Sequence, residues 1–170
     1  ILKNIKNFKK GCILFTSRVN DPKRFGILYK DKKNKLKKII EKPKKPKNNL
    51  AVTGLYIYDN HAVKYAKMLK KSKRKEKEIT DLNNIYIKQK KAKEIELGRS
   101  FSWLDAGTHD AFLNASNLIS LYEKRTSSQI GCLEEIAYKK KFINKKKLKE
   151  IIDNSKDSKV KYYLRSSSNL

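Results

Sequence analysis

The sequence predicts an α/β protein built on a mixed sheet, and three observations carry that prediction. Between Gly11 and Asp59, β-rich runs follow one another, separated by turn-forming clusters of Asn, Asp and Pro. Two helical patterns follow, and strand-like runs then return at Glu94 to Leu97 and Phe101 to Leu104, parted by Gly98. The second run stops at Asp105 and turns at Gly107 into a long amphipathic helix. The resulting order β-β-β-β-α-α-β-β-α, followed by further helices, is that of an α/β domain.

Each element has its own signal. Cys12 to Val19 is apolar and β-branched and ends on Asn20-Asp21-Pro22. Ile27 to Lys30 and Lys35 to Ile40 flank Asp31-Lys32-Lys33-Asn34, which makes a hairpin the economical assignment. Pro43 and Pro46 forbid continued pairing, so the lysine-rich stretch from Lys44 to Asn49 is expected as a solvated loop. Leu50 to Asp59 reads as a strand with Gly54 in its middle, marking either a bulge or a close approach. Asp59 or Asn60 caps a helix carrying Val63, Ala66, Met68 and Leu69, and Thr80 or Asp81 starts a second with Leu82, Ile85 and Tyr86 on one face.

Asp105 then stands at the carboxyl end of an expected strand, where open α/β sheets bind ligands. Thr108 can cap the helix that follows, whose Phe112, Ala115, Leu118, Ile119 and Tyr122 recur at helical spacing. Two readings of Asp105 stay open. It is a turn aspartate that caps its own loop, or a hard ligand for Mg²⁺, which takes one or two carboxylates and otherwise keeps waters and substrate phosphate oxygens. After Arg125 to Gln129, helical pieces are expected at Ile130 to Tyr138 and Lys145 to Ile152, with the sequence from Asp153 onward fraying into polar residues.

A length of 170 residues suits one core. The chain opens on Ile1 rather than methionine, as expected of a sequence that begins partway into a longer protein. Of 43 basic residues only six are arginine, leaving 37 lysines, and the formal charge is +26. Lysine is spread over almost every polar segment together with many Asn and Ile, the residues of A/T-rich codons, which favours biased base composition over a nucleic-acid role. The field remains real and implies salt-sensitive, non-specific attraction to anions. Cys12 and Cys132 match no metal spacing and read as small, reduced, buried residues of a cytoplasmic protein. No stretch approaches the length that crosses a bilayer.

Several blocks, taken together, carry a resemblance. They are Val19-Asn20-Asp21-Pro22-Lys23-Arg24-Phe25-Gly26, Glu41-Lys42-Pro43, Ala51-Val52-Thr53-Gly54-Leu55-Tyr56, Glu78-Ile79-Thr80-Asp81-Leu82-Asn83 and Trp103-Leu104-Asp105-Ala106-Gly107-Thr108-His109. In their order and spacing, and with Cys132 to Tyr138 extending the match, they strongly resemble the glucose-1-phosphate thymidylyltransferases.

The resemblance implies a mixed-sheet nucleotide-diphospho-sugar transferase fold, Rossmann-like, with a C-terminal helical tail. It implies that dTTP and glucose 1-phosphate give dTDP-glucose and pyrophosphate, with Mg²⁺, in a cytoplasmic homo-oligomer, a tetramer in the family. Residues 1–126 would form the sugar-phosphate-binding half of the catalytic domain, and 127–170 a helical oligomerisation or regulatory segment. Carried over residue by residue, Asp105 resembles one of two metal aspartates and Lys42 the partner of the sugar phosphate. Glu41 and the backbone around Gly26 and Val52 would read sugar hydroxyls. Tyr56 would wall the sugar site, Arg74 would contact phosphate, and Trp103 would pack beside the metal turn. Arg99, Glu135, Ile136 and Lys139 correspond to a regulatory nucleotide site. His61 and His109 carry no implied catalytic role.

Departures from the family pattern are Phe25 for a common tyrosine, Lys75 for a usual glycine, Ala106 for threonine and Lys139 for arginine. The family's opening Gly-x-Gly-Thr-Arg-Leu-x-Pro signature does not occur among these residues, so the resemblance covers the C-terminal portion and the N-terminal half is absent. This chain is expected to be inactive alone, with no catalytic residue assigned. The alternatives are a sugar-1-phosphate nucleotidyltransferase using another base, a polycationic nucleic-acid-binding module, and an oligomerisation module that has outlived catalysis.

Overall fold

A computed structural model describes residues 6–72 and 75–168. The chain divides into two compact units, Ile1–Trp103 and Leu104–Leu170, each with its own apolar cluster. The division falls earlier in the chain than the 126/127 boundary that the resemblance implies.

In the first unit, β1 (Cys12–Arg18), β2 (Gly26–Lys30), β3 (Leu36–Glu41), β4 (Leu50–Tyr58) and β5 (Ala92–Glu96) form one sheet in the order β3-β2-β4-β1-β5. Only β1 and β5 run parallel; the other neighbours are antiparallel, so the sheet is mixed as expected. β1 lies between two partners, and residues 12–16 are all buried, which explains why it reads as a continuous apolar run rather than an alternating one. Its even-numbered side chains, Cys12 and Leu14, join Leu28, Ile39, Leu50 and Val52 in a cluster closed by Leu82, Tyr86 and Ile87. Those last three lie on α2 (Ile79–Lys88), and Ala62 and Tyr65 of α1 (His61–Met68) pack against the same cluster.

The hairpin turn between β2 and β3 is built by Asp31, whose Oδ1 accepts from the N–H groups of Lys33 and Lys35, both at 2.9 Å. Gly54 resolves as a bulge. The register between β1 and β4 shifts between Leu14 and Thr16, and Gly54 takes φ +81° with open space where a Cβ would lie. Asp59, at the end of β4, accepts from Gly11 N–H (2.7 Å), Tyr86 O–H (2.7 Å) and His61 N–H (3.0 Å), fastening β4, β1, α1 and α2 at one point. On the edge strand β3, the Asn84 amide of α2 accepts from Ile39 N–H (2.8 Å) and donates to Ile39 C=O (2.9 Å).

Two expectations are corrected. Phe101 to Leu104 is not a strand: Phe101 N–H closes a turn onto Gly98 C=O (3.0 Å), and the run pairs with no strand among the described residues. Phe101 is 50% exposed, as an unpaired run at the surface allows. Asp105 therefore sits at a turn entering a helix, not at the end of a sheet strand. The second correction is α6 (Ser158–Ser168), which occupies sequence expected to fray. Asp157 Oδ1 accepts from Lys159 N–H (2.8 Å) and Val160 N–H (3.2 Å), and Val160, Tyr163 and Leu164 turn one face inward.

The second unit comprises α3 (His109–Thr126), α4 (Leu133–Lys139), α5 (Lys145–Asn154) and α6. Cys132, Leu148, Ile152 and Leu164 form its buried cluster. Both cysteines are free and buried, and desolvation pushes the Cys12 thiol up to about 12. No helix among the described residues is long and apolar enough to cross a membrane.

Candidate functional site

Two of the residues expected to read a sugar, Gly26 and Glu41, meet where β2, β3 and α2 converge. Gly26 and Glu41 are antiparallel partners, and Lys42 N–H donates to Phe25 C=O (3.0 Å), extending the pairing one residue past β3. A Cβ on Gly26 would lie 2.9 Å from Glu41 Oε2, so any larger residue there would make that carboxylate shift from its present place beside the strand. Thr80, buried on the first turn of α2, donates its hydroxyl to the same Oε2 at 2.6 Å. One carboxylate oxygen is thus fixed from the protein side.

Tyr56 belongs to the same neighbourhood. Burial, chiefly, pushes its phenol above the ordinary range; a hydrogen bond with Asn83 opposes this, and the charge of Glu41 adds to it. Asn83 is fully buried on α2 and accepts from Tyr58 O–H at 2.5 Å, while the rings of Tyr56 and Tyr58 lie 5.7 Å apart. Val52 commits its side chain to the core cluster and pairs with Thr16 of β1. Trp103 stands edge-on to Phe25 with ring centroids 5.0 Å apart, on the flank of Gly26. Phe25, where a tyrosine is usual in the family, keeps that ring contact.

Thr80 and Asn83 were missed as site residues. Their signal lay in the Glu78-Ile79-Thr80-Asp81-Leu82-Asn83 block: both are buried polar residues on a helix face otherwise given to Leu82, Tyr86 and Ile87. Arg74 lies outside the described residues. Lys75, at the usual glycine position, takes φ +63°, the conformation that glycine adopts without strain.

In the second unit, Asp105 Oδ1 accepts from Gly107 N–H (3.1 Å), and Thr108 Oγ1 accepts from Ala111 N–H (3.2 Å) as the cap of α3. The loop-capping reading of Asp105 is therefore real, and it leaves the carboxylate a hard oxygen donor of the kind Mg²⁺ takes one or two of. Among the described residues, no group of three His, Cys, Asp or Glu could hold a metal by itself. Asp105 fits as a single-carboxylate contribution to a shared site.

Glu135, Ile136 and Lys139 share α4, while Arg99 lies in the first unit beyond β5. Lys139 pairs with Glu135 one turn away and holds its carboxyl below the usual range; burial opposes this, and Tyr163 O–H, donating at 2.8 Å, reinforces it. Tyr163 carried no signal beyond its helical spacing.

The sequence model described as nucleotidyl transferase matches residues 1–120. A glucose-1-phosphate thymidylyltransferase of Neisseria meningitidis is 41% identical over 141 residues, which cover 83% of this chain and 49% of that protein. One from Xanthomonas campestris pv. campestris is 43% identical over 143 residues, with 84% and 48% covered. The chain spans about half the length of these curated relatives. Among solved structures, one from Bacillus anthracis, named as a candidate glucose-1-phosphate thymidylyltransferase in complex with a sucrose, matches with TM-score 0.60 and 41% identity. It covers 69% of this chain and 46% of that one. A UDP-glucose pyrophosphorylase complexed with UDP-glucose matches in fold, with TM-score 0.57 and 24% identity over 67% and 45% of the two chains. With the family model covering well over half its length, this chain belongs to the nucleotidyl transferase family.

Proposed function

We propose that this chain carries the sugar-phosphate side of a glucose-1-phosphate thymidylyltransferase, acting in a reaction that joins dTTP and glucose 1-phosphate into dTDP-glucose and pyrophosphate. The observation that carries the reading is the Gly26–Glu41–Thr80 cradle. A carboxylate held at one oxygen by a buried hydroxyl, over a strand with no side chain in the way, suits the hydroxyls of a sugar, which both donate and accept. Lys42, the next residue, supplies a compact positive charge for the sugar's phosphate.

In this chemistry a phosphate oxygen of the sugar attacks the nucleotide α-phosphorus in line; a P–O bond forms as the bond to the departing pyrophosphate breaks. The residues described here would orient the attacking phosphate and neutralise part of its charge, and orientation of this kind supplies much of the rate in such transfers. Mg²⁺, when bound with Asp105 among its ligands, would neutralise charge on the phosphoryl oxygens. The placement in the C-terminal portion of the enzyme belongs to this proposal and rests on the order of the motifs. So do the cytoplasmic, tetrameric assembly, the entry to dTDP-rhamnose synthesis, and a role for 127–170 in contacts between subunits.

Titration of the ¹⁵N-labelled chain with glucose 1-phosphate tests the proposal. Amide shifts concentrated at Gly26, Glu41, Lys42 and Val52 are expected, with weaker effects from glucose 6-phosphate; an unresponsive cradle rejects the reading. Pyrophosphate release by the purified chain with dTTP, glucose 1-phosphate and Mg²⁺ is expected to be absent, because the glycine-rich phosphate cradle is not in this sequence.

A further inference from the structure

Beside α2, the first unit carries a groove of about 550 Å³. Asp81, Asn84, Ile85 and Lys88 recur at three- and four-residue spacing and share one face of the helix, while Leu82, Tyr86 and Ile87 belong to the core cluster on another. The remaining walls are Met68 to Ser72, where the chain leaves α1, and Lys37 to Ile39 on β3.

Five of the twelve lining residues are lysines, Lys37, Lys38, Lys70, Lys71 and Lys88, about twice the share that lysine has in the whole chain, 37 of 170. The codon bias that raises lysine everywhere therefore accounts for only part of the cluster. Elsewhere the fold sets lysines against carboxylates, Lys30 with Glu94 at 3.0 Å and Lys147 with Glu150 at 3.1 Å. Here Asp81 is the one carboxylate in the lining, and none of the five ammonium groups makes an ion pair or a side-chain hydrogen bond among the described residues. Like charges gathered around a concavity focus the field and concentrate anions there.

A small inorganic anion would use only the lysines. Met68 is 68% exposed, and Leu69 and Ile85 are half-buried, so apolar surface lies beside the ammonium groups in the same groove. A peptide draws on both: its carboxylates meet the lysines, and an apolar side chain leaves water against methionine, whose flexible thioether fits varied shapes.

We propose that the groove between α1, α2 and β3 seats an acidic segment of a partner protein that carries an apolar residue, its carboxylates on the five lysines and its apolar side chain against Met68 and Leu69. The proposal stands apart from the sugar-phosphate reading and uses none of the residues of that site.

Fluorescence anisotropy of the full chain with a labelled peptide of glutamates around two central leucines tests it. The parent chain is expected to bind the peptide, and the triple variant Lys37→Gln, Lys71→Gln, Lys88→Gln to bind it about tenfold more weakly, as the loss of three surface ion pairs implies. The control triple variant Lys32→Gln, Lys146→Gln, Lys149→Gln removes the same charge from exposed positions outside the groove and should bind nearly as the parent does. Exchanging the two leucines for glutamines should weaken binding to the parent several-fold, whereas Met68→Gln should bind both peptides alike. No binding by the parent, or equal losses in the two triple variants, overturns the proposal, the second because it shows attraction to the chain's charge alone. Inorganic polyphosphate that depends on the same three groove lysines, while the leucine and glutamine peptides bind the parent alike, also overturns it and makes the groove a site for inorganic polyanions.

Discussion

Glu41 and Thr80 form the smallest unit of the site that can be broken cleanly. The Thr80 hydroxyl is buried and its bond to Oε2 is short, so Thr80→Val should leave the fold intact while freeing the carboxylate to turn. The loss in stability should be about 1.5–3 kcal/mol, the usual worth of a hydrogen bond to a charged group. Glu41→Gln keeps the shape and removes the charge; binding of glucose 1-phosphate should weaken by about tenfold, in line with the greater strength of charge-assisted hydrogen bonds. Calorimetric titration of both variants against the parent reads these effects, and equal affinity for all three would remove Glu41 from the site. Glu41 itself was legible from the sequence only through its motif, as one of 17 acidic residues. Thr80 was harder to see, since its role depends on the first turn of α2 reaching the end of β3, and no local pattern encodes that distance.

Among elements, the junction at Asp59 ties together the ends of β1 and β4 and the starts of α1 and α2's packing face. Burial works to raise the Asp59 carboxyl, but hydrogen bonds from Gly11, Tyr86 and His61, together with the His61 charge, outweigh it and hold the group below its ordinary range. The folded state then binds this proton more weakly than the unfolded chain does. Its stabilisation is fully present above the unfolded value of about 4 and is lost as pH falls through the lower folded value. Thermal midpoints should therefore be flat from neutrality to about pH 5 and then drop, with Glu135 adding a like contribution in the second unit. Asp59→Asn should lower the plateau by about 2 kcal/mol and flatten part of the acid limb; an acid limb unchanged in the variant would show that Asp59 does not govern it. Elements with strong local signals, β1 to β4, α1, α2 and α3, were legible because periodicity and turn chemistry agreed. Phe101 to Leu104 was not, because a strand is a relation between two segments and its own residues carry only half of it. The reverse error at α6 arose because Val160, Tyr163 and Leu164 stand among lysines and serines, and the Asp157 cap that starts the helix is ordinary in isolation.

At the scale of the molecule, a charge of +26 keeps copies of the chain apart in dilute salt but is screened over about 8 Å at physiological ionic strength, so repulsion cannot be the whole defence against association. The contact between Asn84 and Ile39 has a consequence on this scale. An edge strand offers its outward N–H and C=O groups as a template on which a strand of another molecule can grow. Through one side-chain amide, α2 occupies both outward groups of Ile39, in the middle of β3, and interrupts that template where it is most apolar. Asn84→Leu should thus convert a soluble edge into a sticky one. Light scattering well below the midpoint is expected to rise faster for the variant than for a control of matched stability. Equal rates would mean that charge alone, and not this plug, keeps β3 from recruiting its own kind.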